Sequence, residues 1–406
     1  VARKLAFIFD HEKCIICNAC VDACNRAYGN LNWRKLPVFT FNEYKTALSI
    51  SCNHCKNPLC MKVCPANAYE INEEFGILKI NQDKCIGCGY CQWACPYEAP
   101  VFNNDGVMSK CHFCYDRVTL GKGLPYCVES CPTGALSFGW IEDNGNDVSY
   151  LPPKEITRPR LIIKSAENLK LNIKNLKLKK EEKYLGLLLY TISIEIALGL
   201  LIFNIPYSNF LALGFLILGI VPSIFHINRQ DRLFRVILNV RTSWLSREVL
   251  FGSLAILFFT ISIFINEFII LGLISLIISY ISSIMIYLIK TRPSWYNIDT
   301  PISFIGTSFT VVAPLAYFFY NNYFVLLIGL SFLIIECITY YMKFSKFKFY
   351  NWKIRIYTNL INSMFYILII FMPYFSIISS IISLISEIYQ RKEFFEKVLT
   401  YSLPYV

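Results

Sequence analysis

Apolar positions along the 406 residues follow two unlike patterns. Up to about residue 160 they form short runs broken by turn residues. Residues 70–81 (EINEEFGILKIN) read as strand, turn, strand. Residues 101–109 contain Asn104-Asp105-Gly106, a hairpin signal. Residues 136–145 read as a strand closing on a turn at Asn144-Gly145. After Tyr184 the apolar runs are long. They predict spans near 184–203, 209–226, 248–265, 268–289, 301–320, 323–342, 355–372 and 374–390, each about 20 residues, enough to cross a hydrocarbon core of about 30 Å. Pro373 either divides the last pair or kinks one longer segment. Residues 164–183 are lysine-rich with Leu and Ile at roughly helical spacing, which reads as an amphipathic linker on the membrane surface. The expected organisation is an α+β head (1–160), a basic linker (161–183) and an all-α membrane bundle of about eight helices (184–406).

Composition agrees with that division. Hydrophobic residues make up 55% and charged residues 17%, below the roughly 25% charge of soluble domains, and the 32 Phe and 26 Tyr exclude a disordered chain. The net charge of +11 is unevenly placed: Lys and Arg exceed Asp and Glu by one in residues 1–160, by four in 161–183 and by six in 184–406. Positive charge on the membrane half suits lipid headgroups, and nucleic acid is not an expected partner. Residues 1–10 carry no apolar signal core and no twin arginine, so no export signal is expected on this chain.

Cysteine supplies the chemistry. Of 17 cysteines, 16 lie between Cys14 and Cys131. They form four groups: Cys14, Cys17, Cys20, Cys24; Cys52, Cys55, Cys60, Cys64; Cys85, Cys88, Cys91, Cys95; and Cys111, Cys114, Cys127, Cys131. The C-x2-C-x2-C-x3-C-P run is the bacterial ferredoxin pattern for [4Fe–4S] binding. Three thiolates on a tight loop reach three irons of one cube, and the fourth, a helical turn on, points to a neighbouring cube. Zinc accounts for group four at most, and disulfides do not repeat this spacing. Exchange of fourth cysteines predicts four [4Fe–4S] ligand sets: Cys14, Cys17, Cys20 with Cys131; Cys111, Cys114, Cys127 with Cys24; Cys52, Cys55, Cys60 with Cys95; and Cys85, Cys88, Cys91 with Cys64. The head is therefore expected to be a double ferredoxin-like four-cluster domain for electron transfer, without a catalytic pocket. His54 and His112, inside cysteine loops, are expected to hydrogen-bond locally.

In the tail, the basic residues of the connections all fall on the side of the head. They are Lys177, Lys179, Lys180 and Lys183; Arg229, Arg232, Arg235, Arg241 and Arg247; Lys290 and Arg292; Lys343, Lys346, Lys348, Lys353 and Arg355; and Arg391, Lys392 and Lys397. The positive-inside rule then puts the head in the cytoplasm, unless this face exists to dock the head. The membrane half holds one histidine, His226, so a bis-histidine haem cannot form and no haem is expected. A lipid-soluble quinol would then meet the clusters directly. His226 and Glu248 flank the most basic loop and are candidate acceptors for its two protons; the alternative is that they pair with loop arginines. Glu195, Glu336 and Glu387 lie at membrane depth, as proton carriers or as partners of buried polar side chains. Cys337 is expected to be a small buried residue.

The head resembles the four-cluster iron–sulfur subunit of the dimethyl sulfoxide reductase family of molybdopterin oxidoreductases. Cys14 to Cys131 carry the likeness, including Cys85-Ile-Gly-Cys88-Gly-Tyr-Cys91 and Cys95-Pro-Tyr-Glu-Ala-Pro100. The tail resembles that family's haem-free anchor, with His226, then Trp244-Leu-Ser-Arg-Glu248, Pro293-Ser-Trp-Tyr-Asn-Ile-Asp-Thr-Pro301, and Glu387 before Arg391. The resemblance implies a fusion of two usually separate subunits and a separate catalytic partner with a molybdenum or tungsten bis-pterin centre. It also implies a group-one cluster facing that partner and a menaquinol-type site near His226 and Glu248. Residues 228–230 (NRQ) depart from the family's Gly-Pro turn, and the family's head lies outside the cytoplasm, opposite to the charge pattern. The expected function is that of a non-catalytic subunit of anaerobic respiration, passing electrons from quinol to a catalytic subunit that reduces dimethyl sulfoxide, sulfur, polysulfide or a related acceptor. The alternatives are a proton-translocating module of polysulfide reductase type, with Glu195 and Glu336 as carriers, and reverse flow reducing quinone.

Overall fold

The architecture is that of a computed structural model describing residues 3–41, 44–142, 145, 147–148, 150–165, 176–179, 184–347 and 352–401. The head runs β1 (Lys4–Asp10), α1 (Ala19–Tyr28), β2 (Val38–Phe41), β3 (Tyr44–Ala47), α2 (Leu59–Lys62), β4 (Tyr69–Asn72), β5 (Ile77–Ile80), α3 (Tyr90–Trp93), β6 (Val101–Phe102), β7 (Met108–Ser109), α4 (Tyr115–Thr119), α5 (Tyr126–Glu129), β8 (Leu136–Ile141), α6 (Lys154–Thr157) and β9 (Leu161–Lys164). β1 is the middle strand of a three-stranded sheet, antiparallel to β8 and parallel to β9. Its alternate residues Leu5, Phe7 and Phe9 are buried, as period two requires. They share a core with Trp33, Phe39, Phe113 and Tyr150. The hairpins expected at 70–81 and 101–109 are β4–β5 and β6–β7. Single-turn helices α2, α3 and α5 stop just before Cys64-Pro65, Cys95-Pro96 and Cys131-Pro132, where proline cannot continue them.

The linker differs from the helical expectation. Residues 161–164 are β9 and extend the head's sheet past residue 160. Residues 176–179 are a strand, β10 (Leu176–Lys179). The run Leu-Lys-Leu-Lys alternates with period two, the strand period. Its partner is the C-terminal strand described below. Residues 166–175 and 180–183, including Lys180 and Lys183, lie outside the described residues, as do Asn144 of the predicted turn and Lys348.

The anchor comprises α7 (Leu185–Ile202), α8 (Ser208–Ile224), a 3-10 helix (Gln230–Ile237), α9 (Trp244–Ser262), α10 (Phe268–Tyr287), α11 (Asp299–Thr310), α12 (Val312–Tyr320), α13 (Tyr323–Phe347), α14 (Trp352–Phe371), α15 (Phe375–Glu396) and β11 (Val398–Tyr401). β11 pairs antiparallel with β10. Among the described residues five helical segments are long and apolar enough to cross a membrane: 185–202, 244–262, 268–287, 299–320 and 323–347; 208–224 and 357–371 are shorter apolar helices. Two boundaries moved for local reasons. α9 starts at Trp244, because the Ser243 hydroxyl accepts from the Ser246 amide and caps it. The segment 299–320 is broken at Val311. Pro314 has no N–H for the Thr310 carbonyl, which accepts from the Tyr366 hydroxyl at 2.7 Å instead.

The loop between α8 and α9 grips the head through its carbonyls. Arg232 donates to Gln82 O at 2.7 Å and Cys85 O at 3.2 Å, and Arg235 donates to Asp83 O. Asn239 donates to Cys64 O, Thr242 to Lys62 O and Ser243 to Val63 O, each at 2.8 Å. Asn228 donates to Gly106 O at 3.2 Å and the Arg229 amide to Ile86 O at 3.1 Å. Residues 228–230, which depart from the resembled family, thus sit directly on the cysteine loops.

Candidate functional site

All seventeen cysteines are free. In the first C-x2-C step of each group the residue before the second cysteine is left-handed: Ile16 (φ 59°), His54 (φ 41°), Gly87 (φ 69°) and Phe113 (φ 57°). Such a residue beside right-handed ones turns successive amides inward and makes an anion cradle. Backbone amides reach sulfur: Ala68 to Cys64 and Gly87 and Met108 to Cys85 at 3.4 Å, and Ala99 to Cys95 and Phe113 to Cys111 at 3.5 Å. Leu136 reaches Cys131 at 3.4 Å.

The fold brings cysteines from distant groups together. Cys14 interacts with Cys20, Cys131 and Cys17. Cys24 interacts with Cys127 and Cys114, and Cys111 with Cys127 and Cys24. Cys55 and Cys60 interact with Cys52 and Cys95, and Cys88 and Cys91 with Cys64 and Cys85. Cavities open between the thiols, one walled by Cys52, Cys55, Cys60 and Cys95, another by Cys24, Cys111, Cys114 and Cys127. Among the described residues no three His, Cys, Asp or Glu converge tightly enough to hold a single metal ion.

The donor chemistry fits iron–sulfur cubes. Burial, then neighbouring thiols, pushes Cys24 up to about 11, with Arg34 opposing; burial pushes Cys95 to about 11 and Cys111 to about 12. Thiols this reluctant to ionise become ligands only where a cationic metal displaces their protons. The histidines of the loops have other work: His54 Nδ1 accepts from the Leu78 amide and His112 Nδ1 from the Tyr115 amide, both at 2.9 Å.

Two buried cations were not legible in the sequence. Arg34 lines the Cys24–Cys127 cavity and Lys110 the Cys52–Cys95 cavity. Lys110 Nζ donates to the Leu78 carbonyl and, at 3.2 Å, to Cys111 O.

His226 and Glu248 line one cavity of about 170 Å³ at the junction of head and anchor. Its wall also includes Cys88, Tyr90 and Trp93 of the head, with Tyr190 from α7 and Tyr287 from α10. Glu248 is 6% exposed and lies in the second turn of α9. The Tyr90 hydroxyl donates to Ile286 O at 3.3 Å, and Thr291 donates to Trp93 O at 2.7 Å. The Trp93 ring lies 6.3 Å from that of His226 and under the Arg292 guanidinium at 5.4 Å. Tyr90 and Trp93 escaped the sequence reading, although both are bulky aromatics inside the third cysteine motif.

Several ionisable residues buried in the anchor are partnered. Glu195 is held by Arg391, Glu387 accepts from Thr307 Oγ1 at 3.1 Å, and Asp299 pairs with Lys343 at 3.1 Å. Glu336 is fully buried beside Gly306. Cys337 is half-buried and accepts from Asn359 at 3.3 Å.

Comparison with known proteins agrees with this division: an iron–sulfur electron-transfer protein carrying its own membrane anchor. Residues 44–141 match the 4Fe-4S dicluster domain, and residues 202–335 match the DMSO reductase anchor subunit (DmsC). Over 190 residues the protein is 40% identical to one of the chains of the anaerobic dimethyl sulfoxide reductase of Escherichia coli K12, covering 41% of its own length and 92% of that relative. It is 37% identical over 189 residues to one of the chains of the polysulfide reductase of Wolinella succinogenes (40% and 95% covered). Against one of the subunits of the sulfite dehydrogenase of Allochromatium vinosum it is 32% identical over 175 residues (36% and 72% covered). The protein belongs to the dimethyl sulfoxide reductase iron–sulfur subunit family, fused here to a DmsC-type anchor.

Proposed function

We propose that this protein carries electrons from a menaquinol-type quinol in the membrane, through four [4Fe–4S] clusters, to a separate molybdenum or tungsten bis-pterin subunit. That subunit would reduce dimethyl sulfoxide, polysulfide or a related acceptor. The observation that carries the reading is the cavity in which His226 and Glu248 share a wall with Cys88. The ligand sets are Cys14, Cys17, Cys20 with Cys131; Cys111, Cys114, Cys127 with Cys24; Cys52, Cys55, Cys60 with Cys95; and Cys85, Cys88, Cys91 with Cys64. Bound there, the clusters would supply one-electron transfer. The residues of the cavity do the rest: aromatic walls from Tyr90, Trp93, Tyr190 and Tyr287 hold a flat ring, and His226 and Glu248 take one hydroxyl proton each as quinol becomes quinone.

The eight-span anchor takes 208–224, 352–371 and 375–396 as spans beside the five longer segments. Charge bias favours the head on the cytoplasmic face. Arg232 and Arg235, however, are engaged with head carbonyls, which gives those two charges a docking role. Protease access to the exposed Leu120–Leu124 loop in sealed vesicles of known orientation reads the side directly.

Purification without oxygen, with iron and labile-sulfide assay, tests the head; zinc without sulfide would end the cluster reading. Glu248→Gln tests the cavity. Quinol oxidation should slow at unchanged cluster content, and unchanged turnover removes Glu248 from the mechanism.

Ion movement through the anchor is a second reading. It is supported by a buried polar file on α14 and α15, where Asn362 donates to Ser383 at 2.7 Å and Gln390 to Asn359 at 3.4 Å. Glu195 is poorly suited to it, because Arg391 holds both its oxygens. Internal pH in proteoliposomes during turnover separates the two readings.

A further inference from the structure

Arg34 is 1% exposed. One terminal amine donates to Ser49 Oγ at 2.9 Å and the other to Ser51 Oγ at 3.0 Å, and the guanidinium lies 4.1 Å over the Phe7 ring. Among the described residues it has no carboxylate partner, and its Nε has no acceptor. A buried cation without countercharge is strongly disfavoured, so something anionic must face it. What it faces is the cavity walled by Cys24, Cys111, Cys114 and Cys127. Ser49 also touches Cys20 Sγ at 3.3 Å, which connects the same guanidinium to a second thiol set.

We infer that Arg34 is the fixed countercharge shared by two iron–sulfur clusters and sets their reduction potentials: the one on Cys111, Cys114, Cys127 and Cys24, and the one on Cys14, Cys17, Cys20 and Cys131. The inference rests on the ligand sets proposed above. A cluster of this type is anionic and becomes more so on taking one electron, with no bond made or broken. A cation beside it favours the reduced form and raises the potential.

The test is a potentiometric titration followed by electron paramagnetic resonance on the full protein in detergent, with iron and labile sulfide measured in parallel. In Arg34→Gln, two of the four midpoints should fall. At fixed potential their reduced-to-oxidised ratio should drop about tenfold, which is about 59 mV for a one-electron couple. Arg34→Lys should keep most of the potential. Ser51→Asp sets a carboxylate against the guanidinium and should lower the same two midpoints without removing the arginine. Loss of clusters in both charge-cancelling variants but not in Arg34→Lys also supports a countercharge. Unmoved midpoints in assembled Arg34→Gln or Ser51→Asp overturn the inference, as does cluster loss in Arg34→Lys equal to that in Arg34→Gln. An unaltered protein without cluster signals overturns the ligand sets instead.

Discussion

A single amine of Arg391 donates to both carboxylate oxygens of Glu195, at 2.7 and 2.9 Å, with both side chains sealed from solvent. The pair ties α7 to α15, and the Arg391 guanidinium also lies 3.5 Å over the Phe304 ring of α11.

Removing one partner leaves the other charged and alone. Arg391→Met should therefore cost roughly 3–5 kcal/mol, read as a lower unfolding temperature in detergent. The double variant Glu195→Leu/Arg391→Met should recover most of that loss. A double variant as unstable as the single one would mean the pair is not the source.

Gly87 has φ +69°, and a Cβ there would run into Gly106 O and lie 3.0 Å from Asn228 Cβ. Both backbone conformation and space require glycine. Gly87→Ala should disturb the Cys85–Cys91 loop and its seat on the anchor. One set of cluster signals should be lost, with the other three retained. Four intact signals and normal quinol oxidation would contradict this.

Burial holds His11 neutral, lowering its pKa from 6.5 to about 4 against the raising influence of the Ala47 backbone and Asp10. Its ring touches Tyr150 Oη and, at 3.3 Å, Thr46 Oγ1. The unfolded chain protonates this ring below 6.5, whereas the folded one resists. Its contribution is full above pH 6.5 and is lost as pH falls toward 4, by up to about 1.4 kcal/mol per pH unit. His11→Gln should flatten that part of the slope in a series of urea midpoints.

Trp93 packs against Tyr90, Tyr287 and Trp295 and forms part of the cavity wall. Trp93→Leu should raise the quinol KM about tenfold, equivalent to about 1.4 kcal/mol of ring contact, with kcat and cluster content little changed. An unaltered KM would place the ring elsewhere.

The cysteine spacing and the long apolar runs made the division into head and anchor legible from residues alone, because thiolate spacing and span length are set by local geometry. The strand Leu176–Lys179 was misread because its partner, Val398–Tyr401, is more than 200 residues away, and four residues carry too little periodicity to reveal a pairing. Arg34, Lys110, Tyr90 and Trp93 were missed for the same reason. Each gains its meaning from groups that only the folded protein brings beside it. His226 and Glu248 could be singled out because one histidine and few carboxylates occur in so apolar a region, and the fold brings both to one cavity.

One wall of the junction chamber belongs to the head and the rest to the helices, through Cys88, Tyr90 and Trp93 on one side and α7 to α10 on the other. An anchor lacking its folded head would present an open trough to lipid. Covalent linkage thus fixes one iron–sulfur head to each anchor, and a half-built polypeptide has no closed chamber at the junction.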